Sequence, residues 1–256
     1  MAPPVLLTRH GATAVVALNR PAVRNAVDME TVDALAAALD GLRADGTLRC
    51  VVFTAEGSEA FCSGGDLRAF RALQTWEDAY RMSTRMQRSL HALETLPVPV
   101  IGVLNGYAMG GGCEAILATD IRVMEEHAFL SFKQLQLGVS LGWGGAARLA
   151  RDLGARHAFR LLLQGEKLFP AEARALGMVD EVVPRGTGRA RALALGEQYA
   201  ALPPLAVNVL KRMVHQDQPD RVHQEASIFA TTWASRDHHE AVDAFFEKRP
   251  PRWEGR

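Results

Sequence analysis

Two glycine-rich segments contain the residues most suited to chemistry in this chain. One spans residues 61–67 (FCSGGDL) and the other residues 105–114 (NGYAMGGGCE). Each follows an apolar run that predicts a strand, so small residues stand where a backbone must approach something closely. The second also enters a predicted helix, whose first N–H groups lack partners and carry partial positive charge. If the two converge, they form an oxyanion hole, which holds an enolate or tetrahedral oxygen with backbone donors.

Two further interpretations of the glycines in this chain remain open. They can serve only tight turns and close helix packing, and spacing alone favours this interpretation because short motifs often match by chance. The second interpretation is a dinucleotide site in a third glycine-rich segment, because residues 142–147 (GWGGAA) formally fit G-x-G-x-x-A. That fingerprint is incomplete, because it lacks a following strand and an acidic residue about twenty positions on.

The elements that must position these segments alternate between strand and helix. Apolar runs predict strands at residues 5–8, 14–18, 50–54, 98–104, 121–124, 129–132 and 179–183. Helical periodicity predicts helices at residues 29–42, 76–93, 113–118, 205–214, 222–233 and 239–246. Asp28 is the expected N-cap of the first helix. Strands alternate with helices in the first two-thirds and helices dominate the last third, so the pattern predicts an α/β layered core with a helical C-terminal part.

Composition excludes several classes of function. The 256 residues are 48% hydrophobic and 23% charged, with 29 basic and 29 acidic residues. A net charge of zero predicts no field that would attract nucleic acid or a membrane surface. The three cysteines lack metal-ligand spacing, which is typical of reduced thiols in a cytoplasmic protein. No signal peptide and no apolar run of about 18 residues is visible, so no membrane span is expected.

Five collinear segments together resemble the crotonase superfamily, also called the enoyl-CoA hydratase/isomerase family. They are LNRPAVRNAVD at 18–28, FCSGGDL at 61–67, PVIGVLNGYAMGGGCE at 99–114, LGVSLGWGGAARL at 137–149 and AFFEKRPP at 244–251. Their order and spacing match from about residue 5 to residue 249. A set of five is far more specific than any one of them.

The resemblance implies a ββα spiral core over residues 1–195 and a C-terminal helical trimerisation region over residues 196–256. It implies a homotrimer or a dimer of trimers that acts on an acyl-CoA thioester. Coenzyme A would enter as part of the substrate, so neither a separate cofactor nor a metal is expected. The implied function is that of an acyl-CoA lyase or isomerase that stabilises a thioester enolate.

The resemblance also implies a role for particular residues. Gly65 and Gly111 would carry the two oxyanion N–H donors, and Glu114 would be a catalytic carboxylate. Lys248 would reach a phosphate of coenzyme A, often across a subunit boundary. The full set of implied CoA- and substrate-binding residues is Arg24, Ala26, Ser63, Gly65, Asp66, Leu67, Tyr107, Gly110, Gly142 and Lys248.

One position departs from the pattern of the family's efficient hydratases, which use two glutamates. The second glutamate position, twenty residues beyond Glu114, holds Gln134. An amide cannot exchange a proton as a carboxylic acid does, and Glu125 and Glu126 are expected on the outer part of a loop. Two outcomes stay open: hydration with Glu114 as the only acid/base group, or decarboxylation of a methylmalonyl- or ethylmalonyl-type thioester, in which loss of CO₂ generates the enolate without a base.

Three further features resemble the ethylmalonyl-CoA decarboxylase branch. They are DIRVM at 120–124, Trp-Gly-Gly at 143–145, and Thr-Trp at 232–233 followed by Glu-Ala at 240–241. A third class of function, a non-catalytic acyl-CoA-binding protein, remains open as well. An enzyme would exchange the α-proton of a bound acyl-CoA in D₂O or release CO₂, whereas a scaffold would only bind.

Several of these residues can also have purely structural roles. Glu114 can be a helix-start carboxylate favoured by the helix dipole. His238 and His239 invite a metal interpretation, but no third ligand has helical spacing, so a solvated helix start is predicted. Trp143 and Trp233 are expected in the core or at a subunit interface.

Overall fold

The computed structural model describes residues 2–202, 204–214, 226, 229, 230 and 233–252. Its strands are β1 (Val5–His10), β2 (Thr13–Leu18), β3 (Cys50–Ala55), β4 (Ala60–Cys62), β5 (Val100–Leu104), β6 (Tyr107–Met109), β7 (Ile121–Glu125), β8 (Leu130–Ser131) and β9 (Glu181–Val183). Its helices are α1 (Met29–Arg43), α2 (Leu67–Phe70), α3 (Trp76–Glu94), α4 (Gly111–Ile116), α5 (Gly145–Leu153), α6 (Ala155–Gln164), α7 (Pro170–Ala175), α8 (Gly188–Ala200), α9 (Pro204–Val214) and α10 (Arg236–Glu247).

The nine strands that the structure describes form two sheets. The six-stranded sheet has the order β1-β2-β3-β5-β7-β9, and the three-stranded sheet has the order β4-β6-β8. Only the β1–β2 hairpin is antiparallel within these sheets, and every other neighbouring pair is parallel. Each of the pairs β3–β4, β5–β6 and β7–β8 gives one strand to each sheet. This repeat is the ββα spiral, so the predicted fold class is confirmed.

The larger sheet is covered on both faces, which explains why its central strands β2, β3 and β5 are fully buried. Every residue of β2 and of β3 is buried, as expected for strands of a parallel sheet between two layers of helix. One face packs against α1 and α3. The other packs against α8 through Ala192 and Leu195. Helix α8 runs across the predicted boundary between residues 195 and 196, and that division of the chain stays a prediction.

The long periodic elements follow the sequence closely, and the short ones do not. Helix α1 begins after Asp28, whose side chain accepts the Thr31 N–H at 2.9 Å, so the predicted N-cap is confirmed. Strands β4 and β6 lie in segments whose sequence pattern predicts turns, because three residues are too few to show a period. The helix predicted at residues 222–233 lies largely outside the described residues. No described helix is long and apolar enough to cross a membrane.

Candidate active site

The smaller sheet brings the two glycine-rich segments together. Strands β4 and β6 are parallel neighbours, so the residues that follow them meet at the same edge. The start of α4 then presses onto the end of β4: a Cβ on Gly112 would lie 2.1 Å from the Cys62 carbonyl oxygen. Similarly, a Cβ on Gly64 would lie 3.3 Å from the amide nitrogen of Gly111. These glycines are therefore required for close approach of the two backbones.

The amides of Gly65 and Gly111 are available as donors. Gly65 pairs with Val27 in an isolated parallel bridge, but the bonds run through its neighbours: Val27 donates to the Gly64 carbonyl, and Asp66 donates to the Val27 carbonyl. Neither the Gly65 N–H nor the Gly111 N–H donates to any residue that the structure describes. Both residues are partly exposed. Two unpaired N–H groups at one edge satisfy the first requirement of an oxyanion hole.

Aromatic rings form the walls beside these amides. A Cβ on Gly111 would lie 2.3 Å from the Trp143 indole, and a Cβ on Gly65 would lie 2.9 Å from the Phe70 ring. The Trp143 ring also comes near Gly65, at 3.7 Å from the same hypothetical Cβ. Trp143 is buried, as predicted for a core residue, yet its position makes it part of the candidate site. An apolar wall lowers the local dielectric and strengthens hydrogen bonds to a developing negative charge.

Glu114 lies one turn into α4 and is 2% exposed. Its Oε1 accepts hydrogen bonds from Gln134 Nε2 at 2.9 Å and from Gly142 N at 3.4 Å. Its Oε2 accepts from Trp143 N at 2.7 Å and from Gly145 N at 3.0 Å. Both oxygens thus receive two donors each. An ionised carboxylate offers about four acceptor sites, so the described residues occupy all of them.

The environment of Glu114 is buried and contains only neutral donors. Burial raises the pKa of the Glu114 carboxyl above its usual value, while the N–H groups of Gly145 and Trp143 and the Gln134 amide oppose the rise. None of the four partners, as oriented, accepts a proton. A protonated Glu114 would therefore need the Gln134 carboxamide to turn and present its oxygen.

Gln134 begins a short 3₁₀ helix, Gln134–Leu137, and its side chain faces Glu114. The amide nitrogen must point towards the Glu114 carboxylate, because the amide oxygen would repel it. That leaves Gln134 Oε1 buried and without a hydrogen-bond partner among the described residues. Its carboxamide carbon lies 3.9 Å from a Cβ built on Gly110. A buried acceptor without a donor, next to the second glycine-rich segment, indicates a place for a water molecule or a substrate group.

The N–H groups that face Glu114 belong to a loop that is fixed from behind. The Gly142 carbonyl accepts hydrogen bonds from the Ser83 hydroxyl and from Gln87 Nε2 at 3.0 Å. The Trp143 carbonyl accepts from Arg148 Nη1 at 3.0 Å. The sequence pattern does not predict these three supporting side chains. Ser83 and Gln87 stand four residues apart on the buried face of α3, so polar residues inside an amphipathic stripe were the available signal.

Residues 142–147, which formally match a dinucleotide fingerprint, have another role in this fold. The segment follows no strand and wraps the Glu114 carboxylate with its N–H groups. The N–H groups that would bind a pyrophosphate are therefore bonded to Glu114. This loop does not form a dinucleotide site, in agreement with its incomplete fingerprint.

The loop before α1 lines the first glycine-rich segment. The Arg24 carbonyl accepts the Ser63 N–H at 3.0 Å, which places the two residues side by side. The Arg24 guanidinium is exposed and pairs with Glu59 at 3.2 Å. Ala26 is buried and its carbonyl accepts from the Arg20 guanidinium. Arg24 can thus reach a ligand with its side chain, whereas Ala26 offers mainly apolar contact.

Asp66 already has strong partners. Its Oδ1 accepts the N–H groups of Arg68 and Ala69, each at 3.2 Å, and thereby caps α2. Its Oδ2 pairs with Arg20 at 3.2 Å. Asp66 therefore fixes the turn that carries Gly65, which makes it a positioning residue in this structure. Leu67, the first residue of α2, is half-buried beside it.

The remaining predicted residues are distributed over the molecule. Tyr107 stacks on Phe129 with ring centroids 5.1 Å apart, and burial raises the pKa of its phenol. Gly110 is the N-cap of α4, and the Gly142 N–H donates a hydrogen bond to Glu114. Lys248 is exposed at the C-terminal end of α10. No hydrogen bond or ion pair joins the Lys248 side chain to the glycine-rich segments within the described part of one chain.

His238 contradicts its prediction. The sequence predicts a solvated helix start, but His238 is 3% exposed, and its Nδ1 lies 2.9 Å from the Leu137 carbonyl oxygen. Its ring contacts Trp233 with centroids 4.3 Å apart. Burial lowers the pKa of His238 to about 4. The prediction failed because it used only local polarity, whereas the tertiary packing of α10 on the 134–137 turn buries the ring.

Glu125 also contradicts its prediction, since it lies in β7 and not on the outer part of a loop. It is 3% exposed and accepts the N–H groups of Gly186 at 2.7 Å and Gly188 at 3.0 Å. This carboxylate therefore fixes the start of α8. Glu126 is exposed, as predicted.

The three cysteines lie in the protein interior. All three thiols are free and buried, and burial raises the pKa of Cys50 and Cys62 to about 12, which makes them unreactive. Across residues that the structure describes, no group of three His, Cys, Asp or Glu side chains is arranged to hold a metal ion.

Comparison with known proteins assigns the class to which this fold and site belong. The family model described as Enoyl-CoA hydratase/isomerase matches residues 8–256, and the chain belongs to this family, within the crotonase superfamily. A putative enoyl-CoA hydratase from Thermus thermophilus is 35% identical over 249 residues, covering 95% of this chain and 98% of that protein. The 2,3-dehydroadipyl-CoA hydratase of Escherichia coli is 30% identical, covering 98% and 99%.

Solved structures agree with the fold. The crystal structure of carnitinyl-CoA hydratase from Mycobacterium avium has a TM-score of 0.89 at 29% identity and covers 100% of both chains. These proteins are similar to this chain over 95–100% of its length.

Proposed function

We propose that this chain is an acyl-CoA lyase that holds the enolate oxygen of its thioester between the N–H groups of Gly65 and Gly111. The observation that carries the proposal is the convergence of these two unpaired amides beside a buried carboxylate, Glu114. A thioester α-carbon is hard to deprotonate because its enolate is poorly stabilised in water. Preorganised donors lower that barrier, and loss of one such donor typically costs about 3–4 kcal/mol.

The proposed reaction is hydration of an enoyl-CoA, with Glu114 as the group that moves the proton. Water forms a bond to the β-carbon and gives a proton to Glu114, while the π electrons pass to the thioester oxygen. Glu114 then returns the proton to the α-carbon, which completes the addition of H and OH. The hydratase names of relatives at 30% identity or more support this choice. Because all four acceptor sites of Glu114 are occupied, the water must displace one donor, and Gln134 is the only side chain among them.

A second candidate reaction is decarboxylation of a methylmalonyl- or ethylmalonyl-type thioester. The observation that favours it is the amide at Gln134, which leaves Glu114 without a second carboxylic acid beside it. Here the bond from the α-carbon to the carboxylate breaks, CO₂ leaves, and its electron pair becomes the enolate. A proton from Glu114 then reaches the α-carbon, and solvent restores the proton of Glu114.

Coenzyme A is proposed to lie along the groove formed by the 24–27 loop and the first glycine-rich segment. Arg24 and Ser63 lie side by side there, and the exposed guanidinium of Arg24 can bind a phosphate. Lys248, exposed at the C-terminal end of α10, would supply a second cation, contributed to the site of a neighbouring subunit. Arg24→Ala is expected to raise KM about tenfold with little change in kcat, since uniform binding affects KM alone.

A homotrimer or a dimer of trimers is proposed as the assembly. Phe159 and Leu163 of α6 are 64% and 57% exposed, and Leu205 and Leu210 of α9 are 75% and 62% exposed. Large apolar side chains grouped on helices are typical of surfaces that associate. Sedimentation velocity tests this: a single species at the mass of one chain would contradict the proposal.

The experiment that tests the reaction uses three substrates in parallel. The protein is incubated with crotonyl-CoA, a 3-enoyl-CoA and methylmalonyl-CoA, and the products are followed by mass. A gain of one water supports hydration, a loss of CO₂ supports decarboxylation, and an unchanged mass with no α-proton exchange in D₂O indicates a binding protein.

A substitution sharpens the choice between the two reactions. Gln134→Glu restores a second carboxyl next to Glu114, and the two groups would share one proton because both cannot ionise at close range. Crotonyl-CoA hydration is expected to rise. An unchanged rate would show that residue 134 does not face the reacting carbon.

A further inference from the structure

A cavity of about 230 Å³ opens between α2 and α10, outside the candidate active site. Its apolar walls include Leu67, Phe70, Trp233 and Val242. Typical pockets for larger ligands enclose about 300–1,000 Å³. This cavity is smaller, so it suits a short segment of a ligand and not a whole one.

The cavity adjoins the candidate oxyanion hole through one shared wall. Phe70 lines the cavity, and the same ring lies against Gly65, 2.9 Å from a Cβ built there. Leu67, another lining residue, follows Asp66 directly in the chain. The Phe70 ring is therefore the wall that the Gly65 turn and the cavity share, and an acyl chain held at Gly65 would reach the cavity beside this ring.

The cavity also contains a polar group that the protein leaves without a partner. His239 lines it, and its Nε2 is buried and makes no hydrogen bond to the part of the chain that the structure describes. A buried polar atom of this kind costs free energy unless a ligand or a water molecule satisfies it. An apolar acyl tail would leave the Nε2 atom unsatisfied.

The neighbouring charges are balanced. Arg71 and Asp243, both lining residues, pair at 3.4 Å at the exposed rim. His238 also lines the cavity; its Nδ1–H donates to the Leu137 carbonyl, and burial keeps the ring neutral by lowering its pKa to about 4. The cavity thus combines apolar walls with two histidine side chains and a paired guanidinium.

We infer that this cavity binds the distal end of the acyl chain and selects a short chain that carries oxygen there, as a hydroxyl or a carboxylate. The inference rests on the proposed function, since it extends the same thioester site. His239 Nε2 bonds the distal oxygen. Arg71 adds a charge contact only when that oxygen belongs to a carboxylate. The Arg71 guanidinium is then shared between the ligand carboxylate and Asp243.

The experiment measures binding, so it does not depend on which reaction the enzyme performs. Isothermal titration calorimetry gives the Kd of three saturated six-carbon thioesters: hexanoyl-CoA, 6-hydroxyhexanoyl-CoA and adipyl-CoA. The wild type is expected to bind at least one of the two oxygenated thioesters about tenfold more tightly than hexanoyl-CoA. His239→Leu should remove that preference while hexanoyl-CoA binds as before or better.

Two variants serve as controls and one separates the two ligand chemistries. His239→Gln keeps a hydrogen-bonding group and should retain part of the preference. His157→Leu changes an exposed histidine of α6 and should leave all three Kd values unchanged. Arg71→Leu should weaken adipyl-CoA alone if the carboxylate is the preferred group.

Equal Kd values for all three thioesters in the wild type, or equal losses for all three in His239→Leu, would overturn the inference and leave the proposed function intact. If the wild type bound no thioester more tightly than free coenzyme A, the proposed function itself would fail, and the inference with it. The two failures are therefore distinguishable.

Discussion

Two buried glutamates of this protein have opposite environments. Glu94, at the end of α3, accepts two hydrogen bonds from Arg148 and one from Arg151 at 2.6–3.1 Å. Glu114 accepts four hydrogen bonds, all from neutral N–H groups. Burial alone would raise the pKa of Glu94, but the two guanidinium groups hold it at about 2. For Glu114 burial prevails, and its pKa is raised.

The difference shows how the fold gives one buried glutamate a structural role and the other the environment of a general acid or base. A carboxylate beside two cations is a permanent anion and cannot exchange protons near neutral pH. A buried carboxylate among neutral donors has its pKa moved towards the working range of a general acid or base. Arg148 links the two, since it binds Glu94 and the Trp143 carbonyl, and the Trp143 N–H binds Glu114.

Glu114→Gln should have the largest effect, and it should be on turnover. Removal of a general acid/base typically lowers kcat by about 10²–10⁴-fold. Affinity for the thioester should change little, because the Gly65 and Gly111 amides remain. Steady-state rates with whichever of the three test substrates the wild type converts, together with the Kd of a saturated thioester, measure both quantities.

The matched control for this variant is Glu126→Gln, a change at an exposed glutamate. It should leave kcat unchanged. Full retained turnover in Glu114→Gln would remove this carboxylate from the mechanism and assign it a purely structural role at the start of α4.

Glu94→Gln should affect the free energy of unfolding more than turnover. The substitution leaves Arg148 and Arg151 facing a neutral amide, and breaking a buried ion pair typically costs about 3–5 kcal/mol. Urea unfolding at fixed protein concentration measures the loss. Asp33→Asn, which breaks the exposed pair with Arg85, should cost no more than about 1 kcal/mol. Equal losses in the two variants would mean that the Glu94 cluster is not tightly coupled.

The pH dependence of stability should have opposite signs at the two glutamates. Glu94 has a lowered pKa, so its stabilisation is present above its unfolded value near 4.5 and is lost as the pH falls towards about 2. Glu114 has a raised pKa, so its contribution is present below 4.5 and is lost as the pH rises through the folded-state value. Each slope is at most about 1.4 kcal/mol per pH unit.

Unfolding curves of the wild type and both variants between pH 3 and pH 7 test this contrast. The difference between wild type and Glu94→Gln should shrink as the pH falls. The difference between wild type and Glu114→Gln should grow over the same change. Parallel trends would show that the two carboxyls titrate alike and that neutral donors alone hold Glu114 ionised.

The sequence predicts much of the fold and part of the site. Long periodic helices such as α1 and α3 are clear in it, and the motif that contains Gly111 and Glu114 is recognisable as a segment. Glu94 and Glu114 cannot be distinguished in this way, because both are glutamates of predicted helices. Their partners lie 54 and 31 residues away, in Arg148 and Gly145, and only the packed chain brings them together.

The same limit explains why the supporting residues and the buried histidine were missed. In the sequence, Gln87 is indistinguishable from other polar residues of a helix, because its partner Gly142 is 55 positions away. His238 follows a helix start where solvent is the natural assumption, and its partner Leu137 is 101 positions away. Local pattern predicts where an element lies, whereas tertiary contact determines what a polar side chain on it does.

The smallest predicted effect concerns Gln87, which acts on Glu114 through the backbone. Its Nε2 donates to the Gly142 carbonyl, and the same peptide unit donates its N–H to Glu114 Oε2. Gln87→Met removes this donor while Ser83 keeps its own bond to the carbonyl. The Trp143 N–H then becomes a weaker donor, because hydrogen bonds in a chain polarise one another. One lost hydrogen bond is worth about 1 kcal/mol, so kcat should fall about fivefold.

A second readout distinguishes this positioning role from a loss of packing. Weaker donation destabilises the ionised form of Glu114, so its pKa should rise, and the pH at which kcat is half-maximal should move upward. Gln198→Met, at an exposed position of α8, should change neither kcat nor its pH profile. If Gln87→Met lowered kcat with an unshifted pH profile, Gln87 would support the loop only by packing. Glu114 would then depend on its own four donors and not on the residues behind them.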